Sequence, residues 1–178
     1  RLFFGIAPGC MDSMVNKYTA NRRLRSEDAY SPDGRHDMRP EYPTIVYSQI
    51  LKQIYPDVPV VLGGIEASLR RLTHYDYWKD TLKPCILKES GGDLIIYGMG
   101  ELPMLALCQL LEDKVLHHEP DAFVAATDFR NIVNKFPVSQ TVTMVQENEI
   151  PGGITDDDIV LHSHEDCLSN RKHYAENF

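Results

Sequence analysis

The stretch VVLGGIEASLRRLTHYDYW, residues 60–78, decides the fold. With Val58 and Pro59 before it, its opening is a continuous valine-rich run, as expected for a strand covered on both faces in a parallel sheet. The glycine pair Gly63-Gly64 ends that strand. A second such run lies in GGDLIIYGMGE, residues 91–101, and predicts a strand over 93–97 that ends at another glycine turn. Leu102, Leu105, Ala106, Leu110 and Leu111 then recur at helical spacing, with Pro103 in the first turn, where proline is tolerated. Upstream, Pro43 and Thr44 open a helix whose apolar face is read as Ile45, Val46, Ile50, Leu51 and Ile54, and residues 2–7 form a short apolar strand. Strands alternating with helices predict an α/β fold with a mostly parallel sheet.

The remaining segments are less regular. Residues 8–43 show no sustained periodicity, and so long a connection in a compact domain implies function or disorder. VSQTVTMV (138–145) alternates like an edge or hairpin strand, and ITDDDIVL (154–161) reads as an acidic turn with a short extended segment. Residues 1–135 are expected to form the α/β domain, incomplete at its N-terminus, and 136–178 an edge strand and linker. The abrupt start at RLFFGIA and the helix-like end NRKHYAENF suggest a piece of a longer protein.

The 178 residues suffice for a real core. They carry 18 Lys+Arg against 26 Asp+Glu, a net charge of -8, which argues against a nucleic-acid partner. Residues 1–100 are nearly balanced, with 13 basic and 12 acidic side chains, so an anionic ligand is expected there. Cys10, Cys85, Cys108 and Cys167 are too few and too scattered for a disulfide framework and fit a reducing cytoplasm. No apolar run has transmembrane length, so no membrane partner is expected.

Ligands of open parallel sheets bind at the carboxyl ends of the strands. Gly63 and Gly64 sit at one such end, and Gly98, Gly100 and Glu101 at another, where the following helix N-terminus adds partial positive charge. Tight strand-to-helix packing explains the same glycines equally well. Neither turn matches GxGxxG or a P-loop. Arg70, Arg71 and His74 could hold a phosphate or carboxylate; alternatively, in a helix over 67–72, the arginines pair locally with Glu66 or Asp76. Asp12, Ser13 and Asn16 follow the first strand, also at a carboxyl end, with helix capping over 14–19 as the bland reading. His162 and His164, in HSHEDC, would share one strand face, without further metal ligands in view.

FFGIAPGCMDSMVNKYTANRRLRSEDAYSPDG (3–34), IVYSQILKQIYPDVPVVLGGIEASLRRLTHYDYW (45–78) and DLIIYGMGE (93–101) together resemble the YgiQ-type radical SAM proteins, an uncharacterised family of large cytoplasmic proteins. The resemblance implies a Rossmann-like three-layer domain, similar to the cobalamin-binding domains that precede many radical SAM barrels, with a less regular C-terminal extension. It implies a parent enzyme using a four-iron four-sulfur cluster and S-adenosylmethionine, whose substrate is unknown. The partner is then the chain's own downstream radical SAM domain. The cluster motif CxxxCxxC is absent, and so is the cobalamin motif DxHxxG, which leaves only base-off cobalamin. The last twenty residues resemble a linker towards the barrel, which demotes a metal at His162 and His164. On this basis the accessory domain positions substrate or cofactor, with Asp12, Ser13, Asn16, Gly63, Gly64, Glu66, Arg70, Arg71, His74, Asp76, Gly98, Gly100 and Glu101 expected at one sheet edge. A docking module without a small ligand is the alternative.

Overall fold

Val60 and Leu62 must face one side of a pleated strand and Val61 the other. All three are buried, so β2 (Val60–Leu62) is covered on both faces. In the computed structural model, which describes residues 2–118, 122–146, 149–150 and 152–178, β2 lies between β1 (Phe4–Ile6) and β5 (Leu94–Ile96), both parallel to it. Gly5 is opposite Val61, and Val61 opposite Leu94. β6 (Thr141–Val142) closes the far edge antiparallel to β5, as the alternation of 138–145 predicts, giving the order β1-β2-β5-β6. β3 (His74–Asp76) and β4 (Thr81–Lys83) form a separate antiparallel hairpin.

Two cores follow from the pleat. Val60 and Leu62 pack with Ile6, Met14, Tyr42, Ile45 and Ala67, under α1 (Ser13–Lys17), α2 (Pro43–Ile54), α3 (Gly64–Leu69) and α4 (Ile86–Ser90). Val61 and Leu94 pack with Leu107, Leu111, Phe129 and Val133, under α5 (Glu101–Leu111) and α6 (Ala126–Lys135). The result is helix, sheet, helix: a Rossmann-like three-layer α/β domain with a mostly parallel sheet. α7 (His164–Ser169) and α8 (Arg171–Glu176) end the chain.

Several elements differ from the sequence expectation. α3 starts inside the glycine pair and ends at Arg70, instead of running over 67–72. Of the face that spacing selects, α5 fully buries only Leu111: Leu102 and Leu105 point outward, while Pro103 and Leu107 face the sheet with Leu111. α2 likewise turns Ile50 and Ile54 to solvent and buries Thr44, Ile45 and Ser48. Its Lys52 must reach Asp93 and the Val58 carbonyl, which fixes the helix's rotation. His164 opens α7, capped by Ser163 in a reciprocal capping box with Asp166, so His162 and His164 do not share a strand. His117 and His118 follow a π turn extending α5.

Asp93 anchors the amino ends of the sheet. Its side chain is fully buried and accepts from Lys52 Nζ at 2.6 Å and the Val60 amide at 2.8 Å, while Arg130 bonds its other oxygen. One carboxylate thus joins α2, β2, β5 and α6. Asp93→Ala removes the shared acceptor and is expected to lower unfolding free energy by about 3 kcal/mol, read from urea denaturation.

Candidate functional site

β1, β2 and β5 end side by side at Ile6, Leu62 and Ile96, and the chain leaves each through small residues. A cleft of about 550 Å³ opens there, walled by Gly5, Ala7, Gly63, Gly64, Gly98 and Gly100, with Glu101 and Met104 of α5 on one side. Gly64 has φ +81°, and a Cβ there would come within 3.3 Å of the Gly9 carbonyl oxygen, so this turn needs glycine. Gly98, at φ +72°, is the counterpart after β5. Ser68 ties the two turns together: its hydroxyl donates to the Gly64 carbonyl at 2.8 Å and accepts from the Gly98 amide at 3.1 Å. Sequence reasoning missed Ser68, and only its place one helical turn after Gly64 could have signalled the first bond.

Glu101 is the charged side chain in this cleft, at the N-terminus of an eleven-residue helix. Its carboxylate competes with a phosphate for the helix's positive end. The wall therefore favours a neutral or cationic ligand group contacting backbone and apolar surface.

Other expected site residues meet beneath the glycine turns in a buried polar network. Arg70 is only 6% exposed. Its Nη2 reaches Asp12 Oδ2 at 2.8 Å and its Nη1 lies 3.1 Å from Glu66 Oε1, an ion contact without hydrogen-bond alignment. The guanidinium stacks 5.0 Å from the Tyr42 ring centre, and the Tyr42 hydroxyl donates to Asp76. Asp76 also accepts from the amides of Trp78 and Lys79, each at 3.0 Å. Burial alone would raise the Asp76 carboxyl, but the Tyr42 hydroxyl and these two amides hold it below its ordinary value. Burial, and then the bond to Asp76, push the Tyr42 phenol far up. Asp12 meanwhile caps α1 through the amides of Met14 and Val15. These charges are spent on one another.

Arg71, by contrast, stacks on Tyr97 at 4.8 Å and donates to the Ser68 carbonyl at 2.6 Å, which places it behind the cleft's bridging serine. His74 bonds the Leu72 carbonyl through Nδ1 at 3.1 Å, so Nδ1 carries the hydrogen; burial lowers its pKa and keeps the ring neutral. Ser13 is buried beside Asp12.

Asn16 belongs to a different hub. Its amide donates to Asp28 at 2.8 Å, and Arg39 grips the same carboxylate with two bonds of 2.8 and 3.1 Å. The Tyr30 amide and Ser31 hydroxyl add to it. Asp28 thereby organises residues 8–43, next to a second cleft of about 490 Å³ lined by Met11, Val15 and Arg25.

The iron-sulfur cluster of radical SAM chemistry does not fit these residues. The four cysteines are unpaired and separate, and among the described residues no three His, Cys, Asp or Glu side chains are placed to hold a metal. No histidine lines the glycine cleft, so protein-ligated cobalamin is unsupported. No helix among the described residues is long and apolar enough to cross a membrane.

Two consequences are measurable. Arg70→Met strands the Asp12 and Glu66 carboxylates and is expected to cost about 3–5 kcal/mol, against roughly 1 kcal/mol for Arg71→Met, both by urea denaturation. Burial alone would raise the Asp28 carboxyl, but the bonds from Arg39, Tyr30 and Asn16 outweigh it and leave the carboxyl far below its ordinary value. With the folded value depressed, the stabilisation is fully present above the unfolded carboxylate pKa of about 3.9 and is lost as pH falls through the folded value. Asp28→Asn should therefore lower stability at neutral pH and flatten its decline between about pH 5 and 2, as urea midpoints across pH would record.

The chain matches the Radical SAM N-terminal family over residues 1–178. It is 58% identical over its whole length to a UPF0313 protein of Bacteroides thetaiotaomicron, of which it covers 28%. A UPF0313 protein of Porphyromonas gingivalis is 56% identical over the whole chain, which covers 26% of it. UPF0313 protein YgiQ of Escherichia coli is 53% identical over 110 residues, 62% of this chain and 15% of that protein. No solved structure matches. The chain thus spans about a quarter of the length of the two relatives it matches from end to end, and by this match over its whole sequence it belongs to the Radical SAM N-terminal family.

Proposed function

We propose that this chain is an accessory domain of a cytoplasmic radical SAM protein and positions a substrate or cofactor for a catalytic domain elsewhere on the same polypeptide. The observation that carries the reading is the glycine-walled cleft at the carboxyl ends of three parallel strands, the place where open α/β sheets take their ligands. Gly63, Gly64, Gly98, Gly100 and Glu101 would meet the ligand directly. Ser68 and Arg71 would hold the two turns in place, and Asp12, Ser13, Glu66, Arg70, His74 and Asp76 would brace them from below. Asn16 acts further off, by ordering the loop over 8–43.

In the parent protein the cluster and S-adenosylmethionine would supply the radical. Nothing in this chain needs to perform that step, and its residues bind, orient and exclude water. Unpaired cysteines agree with a reducing compartment, and the greater length of the relatives agrees with a further domain.

Gly5 provides the test. A Cβ added there meets nothing within 4 Å, and the residue lines the cleft, so Gly5→Leu starts from open space and extends its side chain into the cleft. The wild-type chain should be stabilised by S-adenosylmethionine or hydroxocobalamin in a thermal melt, by about 2.7 kcal/mol at a hundredfold excess over Kd. Gly5→Leu should melt no lower than wild type and lose that response. A variant that still responds would rule out this cleft as the site, and an unresponsive wild type would rule out positioning of either of these two molecules.

A further inference from the structure

α5 carries apolar side chains on every side, with Glu101 and Gln109 its strongly polar residues. Pro103, Leu107 and Leu111 face the sheet, yet Leu102 is 76% and Leu105 54% exposed, and Met99, just ahead of the helix, is 78% exposed. Glu101, at its first position, is its one charged residue. A helix that is hydrophobic on all sides belongs in a protein interior, and here only one side has found cover. Scattered surface leucines are ordinary. These three side chains instead recur at every third position along one stripe.

The stripe also borders the cleft. Gly98, Gly100, Glu101 and Met104 line the cleft, and Met99, Leu102 and Leu105 alternate with them along the same stretch. Whatever covers the stripe therefore lies at the cleft's mouth, and ligand sites prefer domain boundaries. The relatives matched over the full chain devote only 28% and 26% of their length to it, so most of each polypeptide is available to supply that cover. A tethered domain has a high effective concentration at such a surface, which a free second copy lacks.

We infer that Met99, Leu102 and Leu105 seat another domain of the same polypeptide, which closes the glycine cleft from outside. The inference shares with the functional reading the presence of a further domain, but not the presence of a ligand.

Methionine oxidation in the full-length polypeptide separates the outcomes. Met38 is 62% exposed on the loop over 8–43 and serves as an internal reference for Met99. With peroxide and peptide mass spectrometry, Met99 should oxidise about tenfold more slowly than Met38. Leu102→Asp with Leu105→Asp should bring Met99 back to the rate of Met38, and circular dichroism would show that the fold persists. Equal rates in the unmodified full-length protein overturn the inference, whatever the double variant does. Protection that grows with protein concentration also overturns it, because the cover is then a second copy. In Gly5→Leu, protection of Met99 should remain even if no small molecule binds, so failure of ligand positioning and failure of docking give different results.

Discussion

The Arg70 guanidinium is the constraint on which the carboxyl end of this sheet depends. Two carboxylates from distant parts of the chain, Asp12 and Glu66, are almost wholly buried and need a positive charge between them. Arg70 can serve both only if α3 stops where it does, so that the side chain points back under the glycine turn. By fixing Asp12 it also fixes the start of α1, and by lying on Tyr42 it fixes the approach of α2 and the hairpin of β3 and β4. Lys79 and Lys83 approach the same ring, at 5.0 and 4.8 Å, so Tyr42 is held among three cations. A charge cluster of this sort gains little net stability over a well-packed apolar one, but it tolerates few alternative arrangements.

What was legible in the sequence was what repeats. The apolar runs of β2 and β5, the helices after them and the glycine turns could be placed because a parallel sheet buries its strands on both faces. Periodicity failed where it had no contrast to work with. α5 has apolar residues on every side, so spacing could not choose its buried face, and α2 buries Thr44 and Ser48, which no hydrophobic pattern selects. The β3–β4 hairpin was missed because its strands, HYD and TLK, are only three residues long, too short for their polar-apolar alternation to stand out.

The candidate site divides along a similar line. Backbone features, the four glycines and the head of α5, sit together in the cleft as their places after strands suggest. Apart from Glu101, the charged side chains do not, because their partners come from across the chain: Asp12 lies 58 residues before Arg70, and no local pattern announces that pairing. The ion pair between Glu66 and Arg70, one helical turn apart, was the part within reach. The loop over 8–43 follows suit. Its order comes from hydrogen bonds converging on Asp28, and polar convergence leaves no periodic trace.

The bridge made by Ser68 gives the cleft its mechanical character. Because one hydroxyl bonds the turn after β2 and the turn after β5, neither can swing without dragging the other. The mouth behaves as a rigid mould, not as a pair of independent flaps. Any change in what this mouth admits would then have to come from the rim, from side chains such as Glu101 and Met104, while the backbone beneath keeps a single shape.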